Sequence, residues 1–89
     1  MSRMLRRYLE AQADRVEAVL VAHRTPGRIT GGTVGPRLIR FILDPAPQTR
    51  LADVRALADD LAIALKVSSL NIYRTHEGII LEFPNPEPR

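Results

Sequence analysis

Apolar and polar residues alternate in two rhythms along this chain. From Arg3 to about His23, Leu5, Leu9, Val16, Val19 and Leu20 recur near helical spacing, with Met4 and Tyr8 beside them. The pattern predicts an amphipathic helix with Ser2 as N-cap and Thr25-Pro26-Gly27 as its stop. Arg28 to Val34 reads as a weak strand. Ile29, Thr30, Thr33 and Val34 favour it, while Gly31-Gly32 points to a bulge or a close backbone approach. Gly35-Pro36 then turns the chain into the best strand, Arg37 to Leu43. Ile39, Phe41 and Leu43 share one of its faces, and Leu38, Arg40 and Ile42 the other. Both faces are largely apolar, so both should be at least partly covered.

Asp44-Pro45-Ala46-Pro47 ends that strand, because proline has no N–H for the ladder. A second helix is expected from about Arg50 to Lys66, capped by Thr49 and with Asp53 near its positive end. Leu51, Val54, Leu57, Ala58, Leu61 and Leu65 form its apolar stripe; Arg55, Asp59, Asp60 and Lys66 take the solvent side. Period two returns in Leu70 to Arg74 and in Ile79 to Phe83, joined by the hairpin turn Thr75-His76-Glu77-Gly78. Ile79, Leu81 and Phe83 point inward there, Ile80 and Glu82 outward.

The order helix, hairpin, helix, hairpin (αββαββ) implies an α+β fold. Two layers are expected, a mainly antiparallel four-stranded sheet and its helices. Residues 1–83 make a single domain in which residues 1–10 are a candidate mobile end, and residues 84–89 read as a proline-rich linker or tail. If both helices cover one sheet face, Leu38, Ile42, Tyr73 and Ile80 form an apolar patch on the other, interspersed with Arg40 and Glu82. Such a patch is a candidate interface.

Composition narrows the chemistry. At 89 residues the core is thin, and with 4% aromatics it must be filled by Leu, Ile, Val and Ala. The absence of cysteine removes disulfides, thiolate catalysis and sulfur-ligated zinc. No apolar run approaches the roughly 18 residues of a membrane span, and no signal peptide is visible. The net charge of +3 is concentrated in the N-terminal half. Arg3, Arg6 and Arg7 occupy first helical turns, where the helix dipole disfavours cations. They are either a solvated basic end or a contact for nucleic acid or an acidic neighbouring subunit. Asp59-Asp60 diverges by about 100° on a helix and suits solvent better than a shared ion. His23 and His76 have no partners at metal-ligand spacing. Gly31-Gly32 lacks the Gly-Lys-Ser/Thr ending of a phosphate loop, and no Gly-x-Ser-x-Gly elbow occurs. No catalytic residue, metal or cofactor is expected.

Several motifs nevertheless stand in a telling order. Gly35, Pro36, Arg40, Phe41 and Leu43 open the series, and Ala46-Pro47 follows as a turn. Leu57, Asp60, Leu61, Ala62 and Leu65 lie in the helix, and Glu82-Phe83-Pro84-Asn85 closes it. With the helical stretch Ala13 to Leu20, this series resembles the α subdomain of the motor region in FtsK/SpoIIIE-type DNA translocases, over roughly residues 11 to 85. The chain departs from that pattern at Ile42, where the family often has an acid, at Gln48 in place of the turn glycine, and in a shorter hairpin around His76-Glu77-Gly78.

The resemblance implies a non-catalytic accessory domain of a DNA-translocating ATPase, serving cell division and chromosome segregation. It would aid ring assembly as part of a homo-oligomer and contact duplex DNA weakly and without regard to sequence. The implied partner is an ATPase domain of RecA type, in cis or in trans, and the implied place is the cytoplasm, with a parent protein that can be membrane-anchored. The chain is then a fragment or a stand-alone relative that hydrolyses nothing itself. Arg37 and Arg40 are the candidate DNA-binding residues, expected on opposite sides of one strand, with Arg28 in reserve. For each, a surface arginine or an interface ion pair is the plain alternative. The competing functional reading is a protein-interaction or oligomerisation module with no nucleic-acid role, working through the apolar second face.

Overall fold

A computed structural model describes residues 2–87; Met1 and the last two residues of the expected tail lie outside the described residues. The elements run α1 (Arg3–Ala22), β1 (Gly27–Val34), β2 (Leu38–Pro45), α2 (Leu51–Arg55), α3 (Ala58–Leu65), β3 (Asn71–Thr75) and β4 (Gly78–Pro84). The four strands form one antiparallel sheet in the order β1-β2-β4-β3. This is the two-layer α+β architecture that the periodicity implies. The two hairpins join through β2 and β4, the most apolar strands, which leaves β1 and β3 at the edges.

One sheet face is the floor of the core. Ile39, Leu43, Leu81 and Phe83 are sealed, with Phe41, Ile72 and Ile79 nearly so. Val16 and Leu20 of α1, Val54 of α2, Leu57 in the following turn, and Leu61 and Leu65 of α3 close over them. Burial of each such side chain contributes about 1.5–3 kcal/mol before entropy is counted. The two phenylalanines meet edge to face, their ring centres 5.1 Å apart.

Helix α1 starts as its sequence suggests. The Ser2 hydroxyl accepts from the Leu5 N–H at 2.9 Å. The candidate mobile end is helical from Arg3, and Leu5 is buried. A fully buried Gln12 interrupts the apolar stripe of this helix. Its Nε2 donates to the Leu65 carbonyl and to the Tyr8 hydroxyl, both at 2.9 Å. Leu65 is the last residue of α3, where carbonyls have no intrahelical donor. The glutamine therefore caps α3 from a neighbouring helix.

The second helix is not continuous. It breaks at Ala56-Leu57, where the Leu57 N–H bonds back only three residues, to Val54. No proline or glycine marks the break. The kink lets both halves of one apolar stripe reach the core, with Val54 and Leu61 each fully buried. Thr49 is not its cap: Arg50 holds that position, its N–H donating to the Asp53 carboxylate at 2.8 Å. The Thr49 hydroxyl is turned inward and donates to the Pro26 carbonyl at 2.9 Å, tying the Pro-Ala-Pro link to the start of β1.

Both edges of the sheet are pinned by helix side chains. Glu17 of α1 accepts the Ile29 N–H on the outer side of β1 at 2.8 Å, and Arg55 Nε of α2 donates to the Ile72 carbonyl on β3 at 3.1 Å. Such contacts fix the layers and blunt the edges against further pairing. The glycine pair in β1 works as expected. The register shifts between Ile29 and Gly31, and a Cβ on Gly32 would lie 2.5 Å from the Arg40 carbonyl oxygen.

The C-terminal end departs from the expected boundary. Pro84 closes β4 opposite Leu38, and Asn85 is buried. Because the next N–H, that of Asn85, bonds toward the β2 side at Arg37, the proline nitrogen faces the other way, past the end of β3. A proline costs nothing there.

Candidate functional site

The helices occupy one face of the sheet and leave the other open. Across its middle runs a cross-strand row, Thr33–Arg40–Glu82–Asn71, with Ile42–Ile80–Tyr73 beside it. Arg40 Nε donates to Glu82 at 2.6 Å, the Tyr73 hydroxyl donates to the same carboxylate oxygen at 3.2 Å, and Asn71 reaches its other oxygen at 3.5 Å. The Arg40 hydrogen bond holds the Glu82 carboxyl below its ordinary range, with smaller help from Asn71 and Tyr73 and against the opposing effect of burial. The same bond raises Arg40 further above its already high value. Glu82 is thus the hub of the open face, a role its lone position in an apolar strand did not reveal.

The candidate interface residues are not equally available. Leu38 is 39% exposed, and Ile42 and Tyr73 are half-buried. Ile80 is only 4% exposed, although it lies on the open face, because Ile42 and Tyr73 flank it on the adjacent strands. The patch is therefore a shallow apolar floor with Leu38 at one end.

The three arginines do not converge. Arg37 is not on β2 but in the turn before it, so it does not oppose Arg40 across one strand. It lines an open cleft of about 330 Å³ with Thr33, Val34, Pro36, Leu38 and Arg40. Arg28 sits opposite Asp44 in the register, at the far end of β1 and on the order of 15 Å from the Arg40 row. It borders a second cleft, of about 610 Å³, beside Glu17, Val21, Pro26 and Asp44. Arg40 is paired with Glu82, whereas Arg28, although opposite Asp44 in the register, makes no ion pair among the described residues. Arg37 makes no ion pair among the described residues.

Other candidate chemistry is sparse. His23 lies 3.7 Å from Asp60, both about half exposed, a surface pair of little energetic weight. Asp59 and Asp60 open α3 at its positive end and are exposed. Among the described residues no cluster of three or more His, Cys, Asp or Glu could hold a metal, and no helix is long and apolar enough to cross a membrane.

A helix-backed antiparallel sheet with one open face defines a small two-layer α+β domain. Residues 2–85 match the FtsK alpha domain, and the chain belongs to that family. It is 32% identical over 83 residues to the DNA translocase FtsK of Vibrio parahaemolyticus, covering 90% of this chain and 8% of that protein. It is 30% identical over 78 residues to the DNA translocase FtsK of Clostridium tetani, covering 84% and 10%. The protein of the same name from Vibrio vulnificus is 31% identical over 80 residues, covering 86% and 8%. The chain thus spans a tenth or less of the length of these curated relatives.

Proposed function

We propose that this chain is a non-catalytic accessory domain of a DNA-translocating ATPase, acting in the assembly of the motor ring and in sequence-independent contact with duplex DNA. The observation that carries the reading is the match of nearly the whole fold, residues 2–85, to the FtsK alpha domain. The partners in this reading are other copies of the domain, an ATPase domain of RecA type in cis or in trans, and the DNA. Its place is the cytoplasm.

Among the candidate DNA contacts the electrostatics favour Arg37. Its turn is exposed and it makes no ion pair among the described residues, whereas Arg40 is bound to Glu82 and Arg28, also without an ion pair, lies opposite Asp44 in the strand register. Contact is with phosphates, which carry charge but no sequence information. The test is titration of the domain with labelled duplexes of unrelated sequence at about 50 and 200 mM salt. Weak binding that is equal between sequences and falls steeply with salt is expected. Arg37→Ala should weaken it and lower the salt slope by about one. Salt-independent binding, or none at low salt with long duplexes, overturns the DNA role.

A specific observation favours a second reading, a protein-interaction or oligomerisation module without nucleic acid. The open sheet face combines Leu38, Ile42 and Tyr73 with internally paired charge, which suits a protein surface better than a phosphate backbone. Replacing both Leu38 and Ile42 by Ser should then abolish association measured by sedimentation, while Arg37→Ala and Arg40→Ala leave it unchanged. A full-strength complex in the double serine variant would remove this face from the interface.

A further inference from the structure

Asn85 uses its backbone N–H and both ends of its side-chain amide in hydrogen bonds, two of which join the end of β4 to a neighbouring turn. Its backbone N–H donates to the Arg37 carbonyl at 2.8 Å, and its side-chain Nδ2 donates to the Gly35 carbonyl at 2.9 Å. Its Oδ1 accepts from the Glu87 N–H at 2.7 Å. The first two bonds hold both ends of the Gly35–Arg37 turn, and the third bends the chain that leaves β4. These partners, one acceptor and one donor, also fix which way round the amide lies. Only a short side chain with both a donor and an acceptor can do this. Asp lacks the donor, Ser lacks the reach to both, and Gln carries an extra methylene. Asn85 is 7% exposed, so its groups have little water to fall back on.

We propose that Asn85 is a positioning residue. It sets the conformation of the Arg37 turn, and with it the cleft between Val34, Pro36, Leu38 and Arg40, by tying both ends of that turn to the end of β4. Where Arg37 touches phosphate, this extends the proposed DNA role; the positioning itself does not depend on that reading.

The test is amide hydrogen exchange on the intact chain with Asn85→Asp, which keeps the size and the bond from Glu87 but loses the donor to Gly35, and with Asn85→Ala. The Gly35 N–H, bonded to the Leu38 carbonyl at 2.8 Å, reports on the turn. Its exchange should rise about tenfold in both variants, the effect of roughly one hydrogen bond, while amides of α3 and β3 stay unchanged. Unchanged protection at Gly35 in Asn85→Asp overturns the proposal, as does loss of protection spread evenly over the domain. Duplex titration of the same variants separates the two readings. Altered turn exchange in a protein whose DNA binding is blind to Arg37→Ala leaves the positioning role standing and removes the DNA role.

Discussion

The buried Gln12 offers the sharpest test of how this small fold is held together. Its Nε2 is the donor to the Leu65 carbonyl at the open end of α3 and also contacts the Tyr8 hydroxyl, while its Oε1 accepts from Arg15 at 2.8 Å. Gln12→Leu preserves most of the volume and removes the donor. The carbonyl at the end of α3 is then left in a buried setting without its partner, which costs about 1–3 kcal/mol. Gln12→Ala adds a cavity against a side chain of 0% exposure, bringing the loss to about 2–4 kcal/mol. Chains of this size unfold in one cooperative step, so urea titration followed by circular dichroism measures both values. In a thermal scan each kcal/mol should appear as about 4–8 °C. The signature is the order wild type, then Leu, then Ala, with the hydrophobic leucine failing to rescue a site lined by apolar neighbours. A Gln12→Leu variant within about 0.5 kcal/mol of wild type, inside the range of neutral surface changes, would refute the capping role.

Adjacent glycines should respond oppositely to the same change. Gly32→Ala drives a methyl to 2.5 Å from the Arg40 carbonyl and should cost about 1–3 kcal/mol, whereas Gly31→Ala meets nothing nearer than Ile42 Cδ1 at 3.8 Å and should be tolerated; urea midpoints of the pair decide it. Glu82 has a depressed folded-state pKa, so its contribution is complete above the unfolded carboxylate value and is lost as pH falls through the folded one. The stability–pH curve of Glu82→Gln should therefore be flatter than wild type on the acid limb, below about pH 4.3, and identical limbs would count against the Arg40–Glu82 pair. Lys66 ends α3 in the left-handed region at φ 57°, a conformation glycine adopts freely, so Lys66→Gly should raise stability by about 0.5–1 kcal/mol in the same titration.

Much of the fold was legible in the chain because local rhythm is a local property. Period two in Ile39, Phe41, Leu43 and in Ile79, Leu81, Phe83 assigns the core face of both central strands, and the stripe from Leu51 to Leu65 assigns the inward side of the second helical segment. The glycine pair announced a bulge, since only glycine tolerates the approach of the Arg40 carbonyl. What local rhythm does not contain is the partner of a polar group. Nothing near Gln12 in the sequence reveals a helix end 53 residues away, and nothing around Asn85 reveals a turn 50 residues earlier. Both asparagine and glutamine are ordinary surface residues until the fold brings them a carbonyl to satisfy.

The open face divides in the same way. The sequence by itself determined that Leu38, Arg40, Ile42, Tyr73, Ile80 and Glu82 would share one side of the sheet, and the order of its motifs pointed to the family. Only the tertiary structure decided the strand order β1-β2-β4-β3, which sets β2 against β4. That order brings Glu82 to Arg40, hides Ile80 between Ile42 and Tyr73, and lifts Arg37 off the strand into a turn gripped by Asn85. The physical reason is that burial and charge pairing depend on which strands become neighbours, and that choice is made by packing across the whole domain.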